Sequence, residues 1–309
     1  MTKELGWKKP LYILPFDHRN TFSKELFSSS GLLNNNQIEI IKHAKQLIYK
    51  AFLMCIESGV PKENAAILVD EQYGNEIILN AKSRGITVCI NVERSGQHEL
   101  DFEYGNEFTE HIKKYSPTFC KVLVRYNPDS DKELNKRQLQ KLAAISDFCK
   151  ENGYKYLVEV LIPPTDKQIE EFKKDYFKFD TTMRPKLTVK TIQEMQNNNV
   201  EPDVWKIEGL FNKQDYVHSV KQAREGAREQ VGIIILGKGD SKEHVEKWIS
   251  EGAQVEGVIG FAVGRTVFLE PIKEYIKEII NKEKCIERIH DNFMYYYNLF
   301  ESSKKSVRN

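Results

Sequence analysis

Eight short runs of apolar and β-branched residues recur along the chain, and an amphipathic stretch of helical period follows each one. The runs are 11–17, 65–70, 86–93, 119–126, 155–162, 203–209, 231–237 and 257–264. The helical stretches cover about 36–58, 74–84, 105–115, 133–152, 166–176 with 188–198, 214–227, 241–252 and 268–280. Repeated β-then-α units imply parallel strands joined by right-handed crossovers. Runs 65–70 and 231–237 are apolar almost throughout, as strands buried on both faces must be. An open doubly wound sheet would normally carry a Gly-x-Gly-x-x-Gly turn after its first strand, whereas here the first run leads into Asp17-His18-Arg19-Asn20. The expected fold is therefore α/β, a (β/α)8 TIM barrel over about 11–280 within a single domain of residues 1–309. A further helix is expected over about 283–303, aromatic at Phe293, Tyr295, Tyr296, Tyr297 and Phe300. It packs either across the barrel or against a second subunit, which leaves a homo-oligomer open. Residues 20–35, including Ser28-Ser29-Ser30-Gly31 and Asn34-Asn35-Asn36, read as a long first βα loop, the kind that covers barrel active sites.

Composition agrees and excludes several function classes. The 309 residues exceed the ~250 a barrel typically needs, and 40% hydrophobic with 29% charged residues supports a large core. Lys plus Arg number 46 against 45 Asp plus Glu, so a net charge of +1 gives no field favouring nucleic acid or an anionic membrane. No stretch reaches the ~18 apolar residues of a membrane span, and MTKELGWKKP lacks the apolar run of a signal peptide. Cys55, Cys89, Cys120, Cys149 and Cys285 are scattered without Cys-x-x-Cys spacing, which fits reduced thiols in a cytoplasmic protein.

Barrel chemistry collects at the C-terminal strand ends. Here those ends carry Asp17-His18-Arg19, Asp70-Glu71-Gln72, Glu93-Arg94-Ser95-Gly96-Gln97, Lys121 with Arg125, Glu159, Lys206 with Glu208, Gly237-Lys238-Gly239-Asp240 and Gly264-Arg265-Thr266. Lysine and glutamate inside strands 4, 5 and 6 are hard to explain as surface residues, because buried charges need partners. Alternation puts Val204, Lys206 and Glu208 on one face of strand 6 and Trp205 and Ile207 on the other. Lys206 is then either a desolvated, nucleophilic amine of the Schiff-base type or a lysine locked in an ion pair with Glu208 or another carboxylate.

The glycines around Lys238 and before Arg265 let backbone N–H groups approach an anion, at the pair of loops where barrels commonly bind phosphate. A bound phosphate or sulfate fits there. The alternative is that the glycines serve packing and Arg265 pairs with Glu270 or another acid. Of seven histidines only His18 falls at a strand end, so no metal is expected, although Asp17, Asp70 and Glu93 leave a carboxylate-held magnesium open.

In this order LPFDHR, ILVDEQYG, VERSGQ, KVLVRYNPD, the Arg-Pro at 184–185, PDVWKIEG and GFAVGRT resemble the bacterial domain often fused behind 5-dehydro-2-deoxygluconokinase in inositol catabolism. That domain is assigned to the class I aldolase superfamily, close to tagatose-bisphosphate aldolases, and the resemblance spans about Leu11 to Ile280. It implies Lys206 as the imine-forming lysine and Glu159 as the acid/base carboxylate. It further implies Lys121 as a second lysine able to lower the pKa of the first, Asp17 as the acid of strand 1, and the glycine loops of strands 7 and 8 as a phosphate grip. Lys238 departs from the arginine expected of the family, and lysine lacks the bidentate fork.

The expected activity is metal-free class I aldol cleavage of a phosphorylated keto sugar or keto sugar acid, with 2-deoxy-5-keto-gluconate 6-phosphate first among candidates. No cofactor is expected beyond the covalent imine. Catalysis falls to Lys206, Glu159, Lys121 and Asp17. Substrate and phosphate binding fall to Arg19, Asp70, Arg125, Glu208, Gly237, Lys238, Gly239, Gly264 and Arg265. The competing readings are a sugar-phosphate isomerase or epimerase working without an imine, and a non-catalytic sugar-phosphate-binding barrel.

Overall fold

A computed structural model describes residues 4–27 and 33–305. Its strands are β1 (Leu11–Pro15), β2 (Ala65–Val69), β3 (Thr87–Asn91), β4 (Phe119–Arg125), β5 (Lys155–Leu161), β6 (Val204–Glu208), β7 (Gly232–Leu236) and β8 (Val258–Ala262). All pair in parallel, in sequence order, and β8 returns to β1 to close the barrel. The expected barrel is the observed one. Each strand lies inside its apolar run, because β-branched residues fit a pleated surface buried on both sides.

The helices are α1 (Asn20–Phe27), α2 (Asn35–Glu57), α3 (Glu71–Ser83), α4 (Phe108–Tyr115), α5 (Lys132–Asn152), α6 (Asp166–Glu171), α7 (Tyr176–Thr182), α8 (Arg184–Asn197), α9 (Lys213–Ala223), α10 (Lys242–Gly252), α11 (Arg265–Ile276) and α12 (Lys282–Lys305). Two stretches differ from expectation. The first βα segment is not simply a loop, since α1 occupies its beginning; Ser28-Ser29-Ser30-Gly31 lies outside the described residues. Asn34 caps α2 by a reciprocal capping box with Gln37, so the asparagine run opens a helix. After β5, α6 ends early, α7 intervenes, and α8 starts at Arg184-Pro185, where proline's missing N–H costs nothing.

Strand alternation divides the core in two. Outward side chains such as Tyr12, Trp205, Ile207 and Phe261 pack beneath the helices. Inward ones, among them Leu11, Ile13, Leu68, Phe119, Leu157, Val204 and Ile234, form a small apolar cluster inside the barrel. Trp7 closes its floor, 4.9 Å from the Phe119 ring, while its backbone N–H donates to the Gln230 carbonyl at 2.8 Å. Asp203 fixes that entry segment by accepting from the Gly6 N–H at 2.8 Å and pairing with Lys155 at 2.6 Å.

Of the two placements open for the C-terminal helix, α12 takes the flank of its own barrel, packing along α2, α10 and α11. Phe293 meets Phe261 and Phe52 at 5.6 and 5.8 Å, and Tyr12 donates to Glu301 at 2.5 Å. Among the described residues, no helix is long and apolar enough to cross a membrane.

Candidate active site

One register step places the central pair. Glu159 of β5 stands directly beside Lys206 of β6, and Lys121 of β4 beside Leu157 of β5. All three side chains point inward, immediately above the apolar cluster, and none is more than 5% exposed. Glu159 Oε2 lies 2.9 Å from Lys206 Nζ and 2.9 Å from Lys121 Nζ, so one oxygen bridges both ammonium groups. Lys121 also reaches Asp17 at 3.1 Å and Glu93 at 2.7 Å. Lys206 thus pairs with Glu159 and not with Glu208.

The charges of this layer respond to one another. Burial opposes ionisation of Asp17 and Glu159, but the nearby lysines outweigh it and hold both carboxyls below the usual carboxylate range. For Glu93 burial wins over Lys121, and its carboxyl is raised. The three carboxylates in turn outweigh burial at Lys121 and hold its ammonium well above the ordinary lysine value. Burial, then the positive charges of Arg265 and Lys206, push the His18 imidazole down to about 4 against the pull of Asp17.

A cavity of about 340 Å³ opens above this layer, lined by Asp17, His18, Glu93, Lys121, Glu159 and Lys206 at its base. On one side its wall is Lys238, Gly239, Gly264 and Arg265; on the other it is Arg94 to His98 with Arg125. Strands 3 and 4 stand opposite strands 7 and 8 in the closed ring, so basic side chains stand at both ends of the cavity, with Arg94, Lys238 and Arg265 each beside a carboxylate. The chain after β3 folds back on itself, with Glu93 bridged to Phe102 and the Arg94 N–H donating to the Asp101 carbonyl at 2.8 Å. That turn brings the Gln97 carbonyl to Arg125 Nη1 at 2.9 Å.

The remaining expected residues separate into two groups. Arg19 lines the cavity but is tethered, to Glu103 at 2.6 Å and to the Glu93 carbonyl at 2.8 Å. Lys238 pairs with Glu208 at 2.6 Å, and Arg265 pairs with Glu25 at 3.1 Å rather than with Glu270, which sits 3.4 Å from Lys273. Asp70, Glu208 and Gly237 are not brought to the cavity wall. Asp70 caps α3 by accepting from the Tyr73 N–H at 2.8 Å and pairs with the fully buried Lys45. Glu208 accepts from the Ile162 N–H at 2.8 Å while holding Lys238, and Gly237 packs against Val263.

The carboxylates considered for magnesium face ammonium groups instead, Asp17 and Glu93 on Lys121 and Asp70 on Lys45. Among the described residues, no three His, Cys, Asp or Glu side chains are grouped to hold a metal ion.

Lys45 is a further residue that shapes the site, beyond those named from the sequence. It donates to the Phe16 and His18 carbonyls at 2.7 and 3.2 Å, and so fixes the β1 end that presents Asp17 and His18. Its signal was legible: Lys45 lies on the helical stripe of Ile41, Ile48 and Phe52, where a lysine is out of place.

Comparison with solved structures finds the same architecture at low sequence identity. Cgl0159 from Corynebacterium glutamicum matches with a TM-score of 0.56 and 13% identity, over 94% of this chain and 88% of that one. A Schiff-base-forming fructose-1,6-bisphosphate aldolase matches with a TM-score of 0.56 and 12% identity, over 95% and 97% of the two chains. An archaeal fructose 1,6-bisphosphate aldolase matches with a TM-score of 0.54 and 11% identity, over 96% of each chain. No curated protein sequence matches. At such identities the likeness establishes the (β/α)8 barrel fold and nothing finer. Residues 1–304 match a family described as an uncharacterized protein conserved in bacteria (DUF2090), and the chain belongs to that family.

Proposed function

We propose that this barrel is an imine-forming, class I type aldolase acting on a phosphorylated keto sugar or keto sugar acid. The observation that carries the reading is the single Glu159 oxygen shared by Lys206 and Lys121 at 2.9 Å each, at the base of a cavity that opens at the strand ends.

The chemistry follows from that arrangement. The neutral Lys206 amine adds to the substrate ketone, and the carbinolamine expels water to give a protonated imine. A carboxylate removes the proton of the hydroxyl two carbons away. The carbon–carbon bond breaks, its electron pair flows into the imine to form an enamine, and an aldehyde leaves. Protonation and hydrolysis of the enamine return Lys206 and release the ketone product. Glu159 suits the base role because its carboxylate lies 2.9 Å from Lys206 Nζ, beside the carbon chain of any imine formed there. Asp17 is the alternative base. Lys121, held by three carboxylates, keeps Asp17, Glu93 and Glu159 in place.

Basic side chains at both ends of the cavity suit a substrate with an anionic group at each end, once it displaces the carboxylates that pair with them. In 2-deoxy-5-keto-gluconate 6-phosphate the ketone is next to the phosphate-bearing carbon and the carboxylate is at the far end. Its phosphate suits Arg265, Gly239 and the N-terminus of α11. Its carboxylate suits Arg125 and Arg94.

Incubation with a panel of phosphorylated keto sugars, followed by analysis of carbon skeletons, tests the proposal. Two shorter fragments, one an aldehyde, are expected. Rearranged products of unchanged carbon number would favour the isomerase reading, and tight binding without turnover would favour a binding barrel.

A further inference from the structure

The phosphate-type loops are already neutralised from within, and the two internal counter-ions are held very differently. Glu208, on Lys238, is 4% exposed, rises from a barrel strand, and uses its second oxygen on the Ile162 N–H. Glu25, on Arg265, belongs to α1, the short helix that leaves directly after Asp17, His18 and Arg19. Its side chain is 24% exposed, and its Oε2 is buried without a hydrogen-bond partner among the described residues. A buried carboxylate oxygen left bare is unfavourable, so this pair is the weaker of the two.

The position of Glu25 is built rather than incidental. Phe22 of α1 packs edge-on against Phe268 of α11 at 5.7 Å, which docks the helix beside the β8 loop. Arg265 then spans the subsite, with Nη1 on Glu25 and Nη2 on the Lys238 carbonyl. Its guanidinium lies across Gly239, where an added Cβ would come within 2.6 Å of Cζ and where φ is +73°. Only glycine suits that position.

We infer that Glu25 is an internal anion occupying the Arg265 side of the phosphate subsite until a dianionic phosphoryl group displaces it. The inference rests on the phosphate reading of these loops. A monoanionic carboxylate offers Arg265 no more charge than Glu25 does, and it competes with a tethered group whose effective concentration is on the order of millimolar or higher. A phosphate dianion brings twice the charge and three acceptor oxygens, enough to serve both Arg265 and the N-terminus of α11, which has no side-chain cap. Glu25 would thus set the affinity of the subsite and its preference for phosphoryl over carboxylate groups.

Calorimetric titration of inorganic phosphate, and separately acetate, at pH 8 into the wild type, Glu25→Gln and Glu25→Ala tests this. The wild type should bind phosphate and ignore acetate at equal concentration. Both variants should bind phosphate about two- to fivefold more tightly, the range expected for removal of a partly exposed ion pair. Two folded variants with unchanged or weaker phosphate affinity would overturn the inference, as would wild-type affinity for acetate equal to that for phosphate. Absence of phosphate binding in all three proteins, or binding that survives Arg265→Gln, would instead overturn the phosphate reading on which it rests.

Discussion

The interior of the barrel handles burial in opposite ways one rung apart. On the floor, Phe119, Leu157, Val204 and Ile234 fill the space with apolar volume and need no particular partners. Directly above, on the same faces of the same strands, Lys121, Glu159 and Lys206 are as deeply buried, and each depends on an opposite charge. A floor of this kind gains stability by exclusion of water, roughly 1.5–3 kcal/mol for each large side chain. An ionic layer must offset a desolvation penalty, and well-packed hydrophobic replacements often do as well or better. The upper layer is therefore the costlier one, and stability alone does not account for it.

Substitutions should separate the two layers. Lys206→Met is expected to lower turnover at least about 10³-fold, because Lys121, the other amine at the base of the cavity, is held as an ammonium by three carboxylates. The protein should stay folded, since Glu159 keeps Lys121 as a partner. Steady-state rates alongside a thermal melt check both halves of the expectation. Lys121→Met removes the cation shared by Asp17, Glu93 and Glu159, and should cost about 3–5 kcal/mol of stability in urea unfolding. Leu157→Ala, on the floor, should cost about 2–5 kcal/mol through the cavity it leaves. Turnover per folded molecule should then stay near wild type. If it fell as far as in Lys206→Met, the division into a supporting floor and a reacting layer would be wrong.

The smallest effect concerns pH. The folded His18 imidazole titrates near 4, below its ordinary value near 6.5, so the unfolded chain binds the proton first. Stability present above pH 6.5 should fall as pH drops from there toward about 4, and His18→Gln should flatten that slope in chemical denaturation at several pH values. The lowered Asp17 and Glu159 add losses at more acid pH still, as they are protonated. The raised Glu93 works the other way: its contribution is present at low pH and is lost as pH rises through its folded value.

Much of this is legible in the amino-acid sequence. The strands declared themselves because parallel strands buried on both faces must be apolar, and a lysine or glutamate within such a run is conspicuous. Lys121, Glu159 and Lys206 meet as expected, and Gly239 and Gly264 line the cavity, although Gly237 does not. What escaped were pairings between elements distant in sequence. Nothing local in Asp70 tells a substrate ligand from a helix cap held by Lys45, and nothing in Arg265 names Glu25 rather than Glu270 as its partner. Helices α1 and α7 escaped for another reason. They are short, without a sustained apolar period, and hold their shape by docking.

The central claim is that Lys206 reacts covalently. Borohydride reduction in the presence of phosphorylated keto sugars, read by peptide mass spectrometry, addresses it directly. The account predicts a stable adduct of substrate mass, less the oxygen lost as water, on the peptide containing Lys206, absent in Lys206→Met. Turnover of the same substrate with no adduct on Lys206, or an adduct on Lys121 instead, would contradict it.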